Sequence, residues 1–145
     1  MKKLLAILLI LFMIIIFSIC ILFNNKQAQT NSIKNYNIEY EEYLNKKIYG
    51  TELATLINKV TNINENNKIK KNKNNHYIEN DENSIKIEIT MLLTEKTYPM
   101  EEFYNNDTAE FVKYFNLESF KCTKIEYHQK TGKVKKMMFE QVEVH

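Results

Sequence analysis

Twenty residues from Leu4 to Phe23, LLAILLILFMIIIFSICILF, carry no charge, and only Ser18 and Cys20 among them are mildly polar. As a helix this run would be about 30 Å long, the hydrocarbon thickness of a bilayer. A helix buried in a soluble core keeps a polar stripe, and this one has none. A cleavable signal peptide has an apolar region of only about 7 to 15 residues followed by a small-residue cleavage site. Here the run is longer, and the residues after it, Asn24-Asn25-Lys26-Gln27-Ala28-Gln29, make a poor site. Ile19, just before Cys20, is branched where a lipoprotein signal has a small residue. The segment therefore reads as an uncleaved anchor that contacts the lipid bilayer through residues 4–23. Lys2 and Lys3 precede it, while Lys26 and Lys34 lie beyond it. A two-lysine start favours residues 1–3 as a cytoplasmic tail, with the C-terminal domain outside the cell membrane.

The chain has 145 residues, which leaves room for one domain beyond the anchor. From residue 24 onward 18 lysines balance 18 acids, so any charge-driven recognition has to be local. Cys20 would lie in lipid and Cys122 in the domain, so the two cannot pair within one chain. Cys122 is then a buried free thiol on a strand or half of an intermolecular bridge.

Residues 24–35 are polar, show no helical stripe and read as a juxtamembrane tether, leaving residues 36–145 as an α+β domain. Tyr36, Tyr40, Tyr43 and Lys47 recur at steps of 4, 3 and 4, the spacing of an amphipathic helix that Gly50 breaks. Thr51 is placed to cap a second helix lined by Leu53, Leu56, Ile57, Val60 and Ile63. Residues 62–83 hold nine Asn and the basic run Lys68 to Lys73, and predict a mobile loop with a short strand near Tyr77. In Ser84–Met91 apolar and polar residues alternate, as in a strand with one buried face, and antiparallel neighbours are expected. Pro99 suits a helix start, and Asp107-Thr108-Ala109-Glu110 a capping box ahead of Phe111, Val112 and Phe115. The last 26 or so residues read as a hairpin turning at Lys130–Gly132, its second strand running from Lys133 to Val144. Phe120 and Cys122 share one strand face and Ile125 and Tyr127 the other, so a bulge near Thr123 is expected. Helices packed on one face of a three- or four-stranded antiparallel sheet are the expected architecture.

Little in the sequence points to chemistry. His76, His128 and His145 are scattered, no C-x-x-C occurs, and no metal or cofactor is expected. Cys122 and His128 are separated by about 20 Å of strand, beyond the reach of a nucleophile–base pair. Two glycines at 50 and 132 cannot build a phosphate-cradling loop. Glu41-Glu42 and Glu101-Glu102 diverge on a helix and read as solvated faces. With no arginine the chain lacks the bidentate guanine contact, so specific nucleic-acid binding is not expected. No catalytic residue is assigned.

Two surfaces stand out instead. Between Lys121 and Lys136, the six lysines Lys121, Lys124, Lys130, Lys133, Lys135 and Lys136 stand against the single acid Glu126. They could meet an anionic polymer, lipid headgroups or an acidic envelope protein, or else guard an exposed edge against strand pairing. Tyr36, Tyr40 and Tyr43 could form an aromatic partner face, or the half-buried side of a helix packed on its own domain.

The Met1-Lys2-Lys3 anchor, Tyr49-Gly50-Thr51-Glu52 leading into Leu56-Ile57-Asn58-Lys59, and Phe120-Lys121-Cys122 with Tyr127-His128 and Thr131-Gly132 resemble small single-pass membrane proteins of low-GC Gram-positive bacteria. That likeness covers most of the chain and implies no activity. The order of apolar helix, then antiparallel sheet, is also similar to type IV pilins and pseudopilins, although Leu4–Phe23 lacks the glutamate of the pilin helix. The expected function is a non-enzymatic, membrane-anchored extracytoplasmic binding or scaffolding module of the bacterial envelope. The alternatives are a minor pilin-like subunit of a secretion or uptake apparatus, and an envelope-acting enzyme. The oligomeric state is left open.

Overall fold

No glycine precedes Gly50 and no proline precedes Pro99, so nothing in the first third of the chain interrupts a helix once it has started. In the computed structural model, which describes residues 2–104 and 108–143, α1 runs over Lys2–Glu41. Residues 24–35, read as a polar tether without a helical stripe, continue the helix. Extending an existing helix through Lys, Gln, Ala and Asn costs little, because the unfavourable nucleation step is already behind it. The chain divides into a unit ending at Asn35 and a unit beginning at Tyr36, so the last turns of α1 belong to the second.

In the first unit, every residue from Leu8 to Phe23 is exposed. This is one N-terminal helix long and apolar enough to cross a membrane. Its one hydroxyl in this span, Ser18 Oγ, donates to the Ile14 carbonyl 2.9 Å away.

In the second unit, α1 ends at Glu41 and a short connection leads to β1 (Lys47–Tyr49). Lys47, expected on the helix stripe, therefore lies in a strand. The helix α2 (Gly50–Asn66) comes at once, with Tyr49 rather than Thr51 at its cap position and no side-chain cap bond. Leu53, Leu56, Ile57 and Val60 are buried as the spacing requires. Gly50 opens α2 rather than ending the preceding helix, and it is needed for close approach: a Cβ there would lie 1.9 Å from the Phe115 carbonyl oxygen.

The strands β2 (Lys86–Thr90), β3 (Thr97–Pro99), β4 (Ser119–Tyr127) and β5 (Val134–Val142) join β1 in one sheet of order β1-β4-β5-β2-β3. The sheet is five-stranded and mixed, not the smaller antiparallel one expected. β2 pairs parallel to β5, with Ile87 opposite Met137 and Ile89 opposite Phe139. The remaining pairs are antiparallel. Alternation in β2 reports that one face is covered; it carries no information about the direction of the neighbouring strand. The register shift between Cys122 and Lys124 puts the expected bulge at Thr123. Gly132, at φ 70°, closes the hairpin turn, with its N–H donating to the His128 carbonyl.

Two short helices complete the unit, α3 (Met100–Tyr104) and α4 (Thr108–Phe115). Pro99 is the last residue of β3, one place before the helix it was expected to start. Asp107 of the expected capping box, and Val144 and His145 at the end of the hairpin, lie outside the described residues. The helices form no clear single layer: α2 meets β1, β4, α3 and α4, whereas α3 meets β2 and β3. Between these elements sits one core built on Tyr40, Leu53, Ile57, Ile87, Phe120 and Phe139.

Asparagine side chains organise the segment predicted to be a mobile loop. Asn72 Oδ1 accepts from the N–H groups of Asn74 and His76, and a bridge joins Lys71 to Tyr77. Asn80 Oδ1 accepts from the N–H groups of Glu82, Asn83 and Ser84. Asn64 reaches from α2 to the start of β2, where it pairs with both the N–H and the C=O of Ile85 at 2.9 and 2.7 Å. The side chain thus acts as a one-residue strand partner for a backbone that is otherwise buried.

Candidate functional site

The six hairpin lysines do not form a bare cationic surface. Lys124 pairs with Glu126 at 2.6 Å, Lys135 with Glu79 at 2.7 Å and Lys136 with Glu88 at 2.8 Å, and Lys130 with Glu82. Lys133 stands over the Tyr36 ring, 5.2 Å from its centroid. Lys121 lies in register between Lys47 on β1 and Glu140 on β5. Three of the pairing acids, Glu79, Glu82 and Glu88, come from the segment around β2 and not from the hairpin, which is why the hairpin sequence read alone overstates its charge.

These pairs bias each other's protonation. Hydrogen bonds from Lys135, Lys130 and Lys124 hold Glu79, Glu82 and Glu126 below the usual carboxylate range. The same contacts raise Lys130 and Lys135. Beside them Tyr127 donates to Glu41 at 2.9 Å, and desolvation, helped by that carboxylate, pushes its phenol up to about 12. Asn80, Asp81, Gln129 and Lys130 line a polar cleft here. Its cations already have carboxylate partners, so it offers an added anion little uncompensated charge.

His128, near the hairpin tip, is buried, with Nε2 2.7 Å from the Ser84 carbonyl oxygen. That contact ties the hairpin to the start of β2 and gives the ring a structural role. Cys122 is a buried free thiol. Desolvation raises its pKa above the ordinary value, which keeps the nucleophilic thiolate scarce.

Tyr36 and Tyr40 on α1, and Tyr43 just past its end, are not an open face. Tyr40 is 1% exposed in the core, and Tyr36 and Tyr43 pack partly buried against it. The rings of Tyr36 and Tyr40 meet at 5.5 Å, and Tyr43 meets Phe139 edge-on at 6.5 Å. Burial pushes the Tyr40 and Tyr36 phenols up from their ordinary range. Asn37, one residue past Tyr36, donates to the Gly132 carbonyl and accepts from the Val134 N–H, so the end of α1 grips the hairpin turn.

Another surface, unmarked in the sequence, is open. Tyr98, Phe103, Phe111, Phe115 and Phe120 form a chain of ring contacts with centroid distances from 4.9 to 6.5 Å, running from β3 through α3 and α4 to β4. The buried end of the chain is core. At the other end Tyr98, Phe103 and Phe115 floor two adjoining clefts of about 330 and 270 Å³. The larger is closed by Met91 and Leu93 and is almost wholly apolar. The smaller carries two carboxylates, Glu102 and Glu110, beside Tyr114. Leu93, at 94% exposure, and Leu117, at 72%, project from the loops around this region. The signal that could have found it is the pair Leu92-Leu93 in the β2–β3 connection, apolar where a polar turn is usual.

Among the described residues no group of three or more His, Cys, Asp or Glu side chains converges on a point where a metal could sit. No protein-family model, curated protein or solved structure matches this chain. The arrangement lends itself to holding an apolar side chain in the Tyr98–Phe103–Phe115 cleft, with carboxylates near by to read a positive charge.

Proposed function

We propose that this protein is a membrane-anchored extracytoplasmic binding or scaffolding module of the cell envelope and not an enzyme. The observation that carries the reading is the fully exposed apolar helix from Leu8 to Phe23, joined in one chain to a unit with its own buried core. Leaving that helix in water would expose an apolar surface far larger than a soluble monomer tolerates, and a bilayer relieves the cost. The lysines at positions 2 and 3 support an N-terminus on the cytoplasmic side. The open aromatic cleft supports binding as the unit's task, since apolar recognition pockets typically combine such a floor with a few polar groups.

Protease accessibility tests the topology. With a C-terminal tag on the chain, a lysine-directed protease is added to intact, wall-stripped cells. The exposed lysines Lys68, Lys70 and Lys73 are the expected cleavage sites. Cleavage in intact cells supports the reading. Protection until the cells are lysed places the unit in the cytosol and overturns the extracytoplasmic assignment.

A further inference from the structure

We infer that the aromatic cleft between the β2–β3 connection and α4 receives a cationic amphipathic segment of a partner protein, its apolar side chain seated against Leu93, Tyr98 and Phe103 and its cation beside Glu102 and Glu110. The inference rests on the reading of this unit as a binding module and specifies its ligand chemistry. The two clefts share Tyr98, Phe103 and Phe115, so one ligand can occupy both. The apolar half suits a Leu- or Phe-sized group, and the acidic half begins where the same rings end. The residues lining the two clefts include the carboxylates Glu102 and Glu110 and no lysine. The sign of the field favours a cation and disfavours an anionic lipid surface, which the exposed Leu92-Leu93 pair would otherwise suit. Glu102 Oε1 also lies 3.3 Å from His76 Nε2, and Lys113 stands over the Tyr114 ring.

The test uses the full chain in zwitterionic nanodiscs, with empty discs as the blank. Three fluorescent peptides of one length and pattern serve as probes, built from Leu and Lys, from Leu and Glu, and from Ser and Lys. Saturable binding is expected for the Leu/Lys peptide alone, and it should weaken as the salt rises from about 0.05 to about 0.5 M. Leu93→Asp should weaken it at least about tenfold, the scale set by losing one buried leucine contact. Glu110→Lys should act in the same direction. Both positions lie at the surface, and unchanged tyrosine near-UV dichroism in each variant shows the fold intact. Equal binding of the Leu/Glu peptide, no effect of Leu93→Asp, or no saturable binding overturns the inference. So does self-association in discs that Leu93→Asp abolishes, because it would seat a second copy in the cleft. None of these outcomes bears on protease topology, so failure here and failure of the envelope assignment are separately visible.

Discussion

Replacing Gly50 by alanine puts two effects in opposition. Gly50 opens α2, where helix propensity favours alanine over glycine by about 1 kcal/mol. Its backbone also lies against the end of α4: its N–H donates to the Glu118 carbonyl at 3.0 Å, and an added methyl would stand 1.9 Å from the Phe115 carbonyl oxygen and 2.7 Å from its carbon. Those atoms are main chain and cannot rotate aside, so α2 and α4 must separate. Separation loosens Phe115, and with it the Phe111 and Phe120 rings that pack against it. Overpacking costs about 1–3 kcal/mol, and a backbone clash belongs at the upper end. Subtracting the propensity gain leaves a net loss of about 2 kcal/mol. For a unit of this size that is a fall in Tm of about 8 °C. The assay is a thermal melt of the full chain in detergent, followed by tyrosine near-UV dichroism, which α1 within lipid or detergent does not dominate. Thr51→Ala, exposed one residue away, is the control and should stay within about 0.5 kcal/mol of wild type. A Gly50→Ala variant as stable as wild type, or more so, would refute the close-approach argument and leave propensity as the controlling effect.

The same geometry sets three further outcomes. Asn64→Ala strips the N–H and C=O of Ile85 of their partner in a buried setting, and urea denaturation should register a loss of about 2–4 kcal/mol; a loss below about 0.5 kcal/mol would show that water replaces the amide. Glu79 and Glu82 have depressed folded-state pKa values, so their pairing adds stability above the ordinary 4.5 that is lost as pH falls through the lowered values. In the double variant Lys130→Ala/Lys135→Ala that acid-dependent increment should be reduced, and the difference from wild type should shrink in high salt; denaturant midpoints that move in parallel with pH in the two proteins would refute the coupling. Finally, in a Cys20→Ser background the Cys122 thiol should react with a disulfide reagent only at the rate of unfolding, because it is buried and its thiolate is disfavoured. Immediate labelling of the native protein would show the β4 face to be open.

The hairpin shows how far local pattern can be read. The bulge at Thr123 was visible because the burial phase changes between Cys122 and Ile125, and the turn because Gly132 alone there readily takes a positive φ. The surface charge of the same hairpin was not, since Glu79, Glu82 and Glu88 reach it from the segment around the neighbouring strand β2. Tyr40 and Tyr43 stood at true helical spacing or near it, but spacing alone does not say whether the covered face meets a partner or the domain itself. Beyond the Leu92-Leu93 pair, the aromatic cleft left no trace for a related reason: Leu93, Tyr98, Phe103 and Phe115 belong to four local segments whose periodicities say nothing about one another.

What the sequence determined by itself is the membrane-length helix, the buried face of α2, the alternation of β2 and the hairpin with its bulge. All of these depend on properties repeating along one segment: length, hydropathy and the periods 3.6 and 2. Only the tertiary structure decided that β2 runs parallel to β5, that Gly50 is there to let α4 approach, that four of the hairpin lysines are paired with carboxylates and that the aromatic face is left open. Each of these depends on which distant segments meet, and side-chain periodicity within a segment carries no record of that.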